Sequence, residues 1–324
     1  MSKYKIVFSD YYYADLNAEM EELRALGNEV EIVDLTKVTP GGIKDPRELI
    51  GYARDCDALI VQFARIDAAF IQQLEKCRVI ARYAIGVDTI DLEAAREKGI
   101  CVANVPDYCI NEVADTAAAH ILNATRKLSL TRDMLLADDF SMDRAGRMFR
   151  TENATLALLG FGHVARDLYG KMRAFFGRIV AYDPYFSDTA AYPDVSFVPL
   201  EEALRAADVV SVHVPLDQST RNMLSDAQFA LMKTGAILVN TARGGIIDEA
   251  AMVRALDSGK LALCGFDVLC TEDFAHSPLL RHPKIAVTPH VAWRSEEAQA
   301  ELQRKVARNV VSVLTTGTTK YAVR

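Results

Sequence analysis

The chain alternates short apolar segments with helical segments twice along its length, and this alternation limits the folds that it can adopt. The first series of apolar runs covers residues 5–10, 29–35, 58–63, 78–86 and 100–105. The second series covers residues 155–160, 177–183, 208–214, 236–240, 263–268 and 284–290. Short apolar strands separated by helices predict parallel sheets that are covered on both faces. We therefore expect an α/β protein with two doubly wound parallel-sheet domains.

The division between these domains is predicted from length and from one proline. A chain of 324 residues fits about two domains at the usual ~100–200 residues each. Pro106 forbids a continuing helix and pushes the preceding residue to extended geometry, so the segment around it is interpreted as a hinge. A long helix is expected to follow it, over about residues 110–128. The final helix, from about residue 295 to 314, is expected to return to the first domain. The predicted domains are thus 1–104 completed by 296–324, and 105–295.

Charge and cysteine content narrow the class of partner. The formal net charge is −7 without a block of lysine or arginine, which argues against a nucleic-acid or anionic-membrane surface. No apolar run approaches the ~18 residues of a membrane span, and the start lacks a signal-peptide core. The six cysteines are scattered without a CxxC pair, so neither a zinc site nor a disulfide framework is suggested. We expect a cytoplasmic protein with small-molecule partners and no metal.

A glycine-rich turn gives the clearest cofactor signal. The segment Gly160-Phe161-Gly162-His163-Val164-Ala165 follows an apolar strand and opens a helix. The first glycine permits a tight turn, the second lets the backbone approach a pyrophosphate, and the helix N-terminus offers amides to it. The next strand ends in Asp183, whose carboxylate would accept hydrogen bonds from a ribose 2′-hydroxyl and repel a 2′-phosphate. NAD is therefore favoured over NADP.

A second signal is the segment 237–248, ILVNTARGGIID, in which an apolar strand ends just before Arg243. Open α/β sheets keep their ligands at the carboxyl ends of their strands. A guanidinium is always charged, so Arg243 predicts an anionic or carbonyl-bearing substrate. His290 also follows an apolar strand, and histidine exchanges protons near neutral pH.

Several of these segments, in order, resemble the signatures of the D-isomer-specific 2-hydroxyacid dehydrogenases. They are the glycine turn with Asp183, VHVPLDQST (212–220), MKTGAILVNTARGGIIDE (232–249), GFDVLCTED (265–273) and TPHVAW (288–293). The segments VPDYC and VAD, and HVAW followed by SEEA, are similar to those of the branch that includes the C-terminal-binding-protein dehydrogenases. The resemblance implies a Rossmann NAD-binding domain and a flavodoxin-like substrate domain. It also implies hydride transfer between NAD and a 2-hydroxy acid.

The resemblance assigns three catalytic roles. Arg243 binds the substrate carboxylate and polarises the carbonyl, and His290 exchanges a proton with the carbonyl oxygen. A carboxylate beside the imidazole favours its charged form and fixes its orientation. Asp273 could supply that carboxylate, but the family spacing selects Glu272.

Further site residues are implied in the same way. The backbone amides of Ile85 and Gly86 are expected to hold the substrate carboxylate, with Trp293 near the substrate. The expected cofactor-binding residues are Gly160, Gly162, His163, Val164, Asp183, His213, Pro215, Thr220, Thr241, Ala242 and Asp267. We also expect a homodimer.

The substrate side chain and one alternative function stay open. Five residues flank the pocket segments that the resemblance implies and could shape the pocket: Phe63, Arg65, Tyr83, Tyr108 and Trp293. Alternatively, Arg65, Arg82 or Arg294 would hold a phosphate or second carboxylate. The leading hypothesis is an NAD-dependent D-2-hydroxyacid dehydrogenase that works as a 2-keto acid reductase. The alternative is an NAD(H)-sensing dimeric binding protein of the C-terminal-binding-protein type with little or no turnover.

Overall fold

The computed structural model describes residues 4–27, 30–271 and 273–323, which fold into two compact units. Unit 1 comprises Met1–Cys109 and Ser295–Arg324, and unit 2 comprises Ile110–Arg294. The two chain crossings predicted from the sequence lie at 104–105 and 295–296. Each unit has its own parallel sheet, so each is described separately.

Unit 1 is built on five strands. Its elements, in chain order, are β1 (Tyr4–Phe8), α1 (Asn17–Leu23), β2 (Val30–Asp34), α2 (Pro46–Ala53), β3 (Ala58–Val61), α3 (Ala68–Gln72), β4 (Val79–Arg82), α4 (Leu92–Glu97) and β5 (Cys101–Ala103). The strand order is β2-β1-β3-β4-β5, with every pairing parallel. This is the flavodoxin-like order. Aspartates at positions 45, 67 and 91 cap the helices that follow them, which fixes where these helices begin.

Unit 2 is built on seven strands. Its elements are α5 (Ile110–Arg126), α6 (Leu128–Leu136), α7 (Met142–Ala145), β6 (Thr155–Leu159), α8 (His163–Met172), β7 (Arg178–Tyr182), β8 (Val195–Phe197), α9 (Leu200–Ala206), β9 (Val209–Val212), α10 (Asp226–Leu231), β10 (Ala236–Asn240), α11 (Glu249–Asp257), β11 (Leu261–Phe266) and β12 (Ile285–Val287). The order is β12-β11-β10-β9-β6-β7-β8, again parallel throughout. Strand order reverses between β6 and β9, which is the switch point of a Rossmann sheet.

The predicted fold class is confirmed: both sheets are parallel and are covered by helices. Strands β3, β6, β9 and β10 are buried at every position, because helices lie on both faces of the sheet. Apolar side chains from both faces form the cores. Fully buried members in unit 2 include Phe161, Phe229 and Phe266.

The structure differs from the sequence prediction in three places. Strand β8 was not predicted, because only three residues pair there. The last strand of unit 2 ends at Val287, so His290 lies beyond it in a turn. The helix expected over about 110–128 ends at Arg126, since Lys127 adopts a left-handed backbone with φ 56° and begins a new helix.

The C-terminal helix α12 (Glu296–Thr316) belongs to unit 1. The Ser295 hydroxyl caps it by accepting the Ala298 amide at 2.9 Å, and Gly317 ends it with φ 85°. Gln303 anchors it on α1, because its amide donates to both carboxylate oxygens of Glu19 at 3.1 and 3.0 Å. No helix within the described residues combines the length and the apolar character that crossing a bilayer requires.

Candidate active site

The glycine turn after β6 is fixed by close backbone packing. Gly160 has φ 91°, and a Cβ at this position would lie 2.8 Å from the carbonyl carbon of His213 and from the nitrogen of Val214. The amide of Gly160 donates to the carbonyl of Tyr182 at 2.7 Å. Only glycine satisfies both the left-handed backbone and this contact. The turn therefore lies directly against the residues that follow β9.

The helix after this turn begins with open space beside it. Gly162 is the N-cap of α8, no described side chain caps the helix, and a Cβ on Gly162 would meet nothing within 4 Å. His163 and Val164 form its first turn, in which backbone amides have no partner inside a helix. A helix N-terminus with free space beside a glycine suits a pyrophosphate. The residues present therefore fit the phosphates of NAD.

Asp183 closes the same turn from the next strand. Its Oδ2 accepts the Phe161 amide at 2.8 Å, and its Oδ1 accepts the amides of Tyr185 and Phe186 at 2.9 and 3.1 Å. The carboxylate thus lies beside the glycine turn, as a ribose-binding residue must. A carboxylate has about four lone-pair sites, so one remains on Oδ2 for a hydroxyl donor. The role at the ribose stays a prediction.

The residues after β9 lie against the glycine turn and include further predicted cofactor-binding residues. The His213 ring accepts or donates a hydrogen bond with the Ser211 hydroxyl at 2.8 Å, and desolvation lowers the pKa of His213 to about 4. The imidazole is therefore neutral at physiological pH. Thr220 donates to the Pro215 carbonyl at 2.6 Å and accepts the Asp217 amide at 2.8 Å, which closes the 215–220 turn.

The end of β10 is organised by Asn240, whose importance the sequence analysis missed. Its Oδ1 accepts the Ala242 amide and its Nδ2 donates to the Arg243 carbonyl, both at 2.9 Å. Asn240 is buried, and its two hydrogen bonds hold this short loop in place. Asparagine side chains commonly hydrogen-bond to the backbone two residues onward, so Asn240 itself was the signal for this loop in the sequence.

Thr241 and Arg243 project from the loop that Asn240 fixes. Thr241 is buried, and its hydroxyl has no hydrogen-bond partner within the described part of the chain. Buried polar groups are normally satisfied, so this hydroxyl is available to hydrogen-bond a polar ligand group and fits the amide of nicotinamide. The Arg243 guanidinium donates to the Ala242 carbonyl at 2.8 Å through Nη1.

The loop that carries His290 is held by Asp267 at the end of β11. Asp267 Oδ1 accepts the Thr288 hydroxyl at 2.6 Å and the Val291 amide at 3.0 Å, and Oδ2 accepts the Ala292 amide at 2.9 Å. The His290 amide also donates to the Asp267 carbonyl at 2.8 Å. His290 itself has φ 53°, an uncommon backbone for a residue other than glycine. Asp267 therefore fixes the turn on both sides of the histidine.

A second histidine supports this loop, which sequence reasoning did not reveal. His120 on α5 is buried, and its Nε2 lies 3.2 Å from the Thr288 hydroxyl. Thr288 gives its only hydroxyl hydrogen to Asp267, so the hydroxyl accepts and His120 Nε2 donates. Burial lowers the pKa of His120. No local motif surrounds His120, because its partner lies 168 residues away.

Trp293 and the acidic residues near position 272 complete the predicted set in unit 2. The Trp293 indole donates to the His290 carbonyl at 3.1 Å, which joins the two residues. Glu272 lies outside the described residues. The rival, Asp273, pairs with His276, whose Nδ1 is 2.8 Å from Oδ1.

In unit 1, the loop after β4 is held through its carbonyl groups. Asn104 Nδ2 donates to the Ile85 carbonyl, and Arg82 Nη1 donates to the Gly86 carbonyl, both at 2.6 Å. Arg82 Nε also donates to the Gln62 carbonyl at 3.2 Å. The guanidinium of Arg82 is therefore used within the fold, and the loop is fixed in one conformation.

The aromatic residues of unit 1 divide into a core set and a surface pair. Tyr83 is buried and donates to Glu19 at 2.6 Å. Tyr12 and Phe63, which follow β1 and β3, stack with ring centroids 5.9 Å apart and are 48% and 47% exposed. Both lie just beyond the carboxyl ends of adjacent strands, where open parallel sheets keep their ligands.

Most of unit 2 matches the model of a known protein family. Residues 118–292, more than half of the chain, match the family model of the D-isomer specific 2-hydroxyacid dehydrogenase NAD-binding domain. The matched segment includes the glycine turn, Arg243 and His290. The NAD cofactor predicted from Gly160 and Asp183 is confirmed at this level.

Similar proteins cover most of the chain. It is 34% identical over 96% of its length to D-3-phosphoglycerate dehydrogenase of Methanocaldococcus jannaschii, and 36% identical over 82% to that of Rattus norvegicus. The chain spans 57% and 50% of these relatives. A solved structure of glyoxylate reductase from Paecilomyes thermophila superposes with a TM-score of 0.85 at 28% identity, covering 100% of this chain and 99% of that one. This chain belongs to the D-isomer-specific 2-hydroxyacid dehydrogenase family.

Proposed function

We propose that the chain is an NAD-dependent D-2-hydroxyacid dehydrogenase that works as a 2-keto acid reductase. The observation that carries this proposal is the grouping of functional residues at one edge of the unit 2 sheet. Gly160, Arg243 and His290 all follow the carboxyl ends of parallel strands of that sheet. Bound NADH would supply the hydride, which adds to C2 of the keto acid.

Arg243 is proposed to bind the substrate carboxylate and to polarise the C2 carbonyl. A planar, permanently charged guanidinium can donate two parallel hydrogen bonds to a carboxylate. Asn240 restricts the loop that carries Arg243, so the charge is held in place before the substrate arrives.

His290 is proposed to give a proton to the carbonyl oxygen as the hydride arrives, and to take it back in the oxidative direction. The products of reduction are then the 2-hydroxy acid, NAD⁺ and a neutral imidazole. Asp267 and Trp293 support this role, because their hydrogen bonds fix the backbone around His290. Glu272 is proposed as the carboxylate that orients the imidazole, and the pairing of Asp273 with His276 favours it over its neighbour.

We propose an aromatic or bulky apolar substrate side chain. The support is the exposed stack of Tyr12 on Phe63 at a strand-end edge, together with the use of Arg82 in internal hydrogen bonds. Contiguous exposed apolar surface commonly marks a ligand-binding groove. The phosphate of phosphohydroxypyruvate would instead need a cation, for which Arg65 is exposed.

The test is NADH oxidation by purified protein with glyoxylate, pyruvate, hydroxypyruvate, phenylpyruvate and phosphohydroxypyruvate. Turnover with at least one keto acid is expected, with the highest kcat/KM for phenylpyruvate. Silence across the panel would reject the dehydrogenase. A preference for phosphohydroxypyruvate that is lost in Arg65→Gln would reject the aromatic substrate only. Capture of protein partners without turnover would favour the NAD(H)-sensing alternative, which the enzyme names of the matched relatives do not support.

A homodimer and a cytoplasmic location are also proposed. Helix α6 has no buried residue, and its last residue, Leu136, and the nearby Phe140 are 71% and 73% exposed, so an apolar surface is left for a second copy. Light scattering should give twice the chain mass of 35.8 kDa, and Leu136→Asp with Phe140→Asp should give the monomer mass. Buried thiols at Cys56, Cys77 and Cys264 suit a reducing compartment, which cell fractionation can test.

A further inference from the structure

A cavity in unit 2 lies away from the strand ends that carry the proposed active site. It is next to the amino end of β12 and the break between α5 and α6, and its volume is about 150 Å³. Its charged and polar lining includes Asn123, Lys127, Asp133, Arg281, His282 and Lys284. Because the strands are parallel, Lys284 precedes β12 whereas His290 follows it. The cavity is therefore distinct from the cofactor site.

Positive charge dominates the wall of this cavity. Lys127, Lys284 and Arg281 line it together with a single carboxylate, that of Asp133. A second carboxylate, that of Asp257, lies outside the lining and pairs with His282 at 3.6 Å. The chain as a whole has a net charge of −7, so this local excess runs against the overall balance. Within the described residues, no carboxylate lies within 4.0 Å of these three cations.

Lys127 is the most confined of the three cations. It is only 5% exposed, and its ammonium donates to the Ala145 carbonyl. Lys284 donates to the Leu256 carbonyl at 2.7 Å. An ammonium has three donors, so each lysine keeps two beyond its single carbonyl bond. Burial, and secondarily the charge of Lys284, lowers the pKa of Lys127.

The backbone amides at the N-terminus of α6 are not counted among the anion-binding groups of this cavity. Asn123 Oδ1 already accepts the Ser129 amide and the Ser129 hydroxyl, each at 3.0 Å. The recognition chemistry is that of side-chain ammonium and guanidinium groups. These groups bind phosphoryl oxygens through charge-assisted hydrogen bonds.

We propose that this cavity binds a phosphoryl group, held by Lys127, Lys284 and Arg281. A volume of about 150 Å³ is roughly ten times the ~10–15 Å³ that a single water needs, so the cavity has room for one phosphate group. Three cations and one carboxylate leave the lining with a charge of +2, which a phosphate dianion would balance. Binding here would stabilise unit 2 without competing with NAD.

The experiment titrates inorganic phosphate into the full chain by calorimetry, with saturating NADH to occupy the glycine turn and with constant ionic strength. Arg281→Gln with Lys284→Gln removes two lining cations. Lys37→Gln with Arg47→Gln removes two exposed cations of unit 1 and serves as the charge-matched control. We expect one phosphate per chain for wild type and control, and at least tenfold weaker binding for the lining variant, which is about 1.4 kcal/mol.

Equal phosphate affinity in the lining variant, or no saturable binding in wild type, would overturn the proposal. Chloride at the same ionic strength should not compete, and full competition by it would show charge screening instead of a site. A parallel titration with glycerol 3-phosphate distinguishes the source of the phosphoryl group: tighter binding than inorganic phosphate indicates a phosphorylated metabolite. Thermal unfolding with and without phosphate gives an independent readout, since only wild type and control should be stabilised.

Discussion

The buried carboxylate of Asp267 accepts the amide of Ala292 at 2.9 Å, across 25 positions of the chain. Its other oxygen accepts the Val291 amide and the Thr288 hydroxyl. One side chain at the end of β11 thus fixes the backbone on both sides of His290. The position of the proposed proton donor therefore depends on this carboxylate.

Asp267→Asn should therefore lower kcat without removing a group proposed to exchange the substrate proton. The side-chain amide of the new asparagine has an N–H group where the carboxylate accepted a hydrogen bond, so at least one buried donor loses its acceptor. This loss costs about 1–3 kcal/mol of unfolding free energy. We expect kcat to fall at least tenfold, or about 1.4 kcal/mol in the activation barrier. Steady-state kinetics and urea unfolding measure the two effects. Unchanged kcat would contradict the positioning role.

The matched control for this variant is Asp226→Asn. Asp226 lies exposed on α10, and Arg254 lowers its pKa through a hydrogen bond of 2.6 Å. Loss of an exposed ion pair changes stability by about 0–1 kcal/mol. Its kcat should stay within about twofold of wild type.

Two glycines of the same turn should respond differently to alanine. At Gly160, a Cβ would lie 2.8 Å from backbone atoms of His213 and Val214, and φ is 91°. Gly160→Ala should lower the melting temperature and the yield of folded protein. At Gly162 the space is open, so Gly162→Ala should keep the melting temperature.

NADH binding separates the two variants further. If the open space beside Gly162 receives the pyrophosphate, Gly162→Ala should weaken NADH binding at least tenfold, or about 1.4 kcal/mol, in a folded protein. Fluorescence titration with NADH measures this change. Tight NADH binding by Gly162→Ala would argue against the pyrophosphate position.

The sequence predicted the parallel sheets and the glycine turn because both leave local signals. Apolar runs repeat with the spacing of buried strands, and a glycine turn must precede its helix directly. The support of His290 leaves no such signal. Asp267 and His120 reach the loop 288–292 from 21 to 25 and 168 residues away, through contacts that only the folded chain brings together.

Arg243→Lys tests whether the shape of the guanidinium matters as well as its charge. A lysine keeps the charge but cannot donate two parallel hydrogen bonds. Loss of one charge-assisted bond, about 1.5–3 kcal/mol, should lower kcat/KM for the keto acid roughly 10- to 100-fold. NADH affinity should be unchanged. Arg254→Lys, at an exposed position of α11, is the control and should retain kcat/KM.

Loss of NADH binding in Arg243→Lys would contradict a role confined to the substrate. Rescue of the variant at high keto-acid concentration would indicate lost binding only. A fall in kcat that substrate cannot rescue would indicate lost polarisation of the carbonyl in the transition state.

The neutral imidazole of His213 should make the stability of unit 2 depend on pH. Desolvation lowers its pKa from 6.5 to about 4. The folded state therefore binds this proton more weakly than the unfolded state, and stability is lost as the pH falls from 6.5 towards 4. Lowering the pKa from 6.5 to about 4 corresponds to a loss of unfolding free energy on the order of 3 kcal/mol once the pH is below 4.

His213→Gln cannot titrate and keeps a partner for Ser211. Urea unfolding of both proteins between pH 7.5 and 4.5 should show wild type losing stability faster than the variant, because contributions from all other groups are shared. Parallel curves would mean that His213 takes up its proton as readily in the folded as in the unfolded chain.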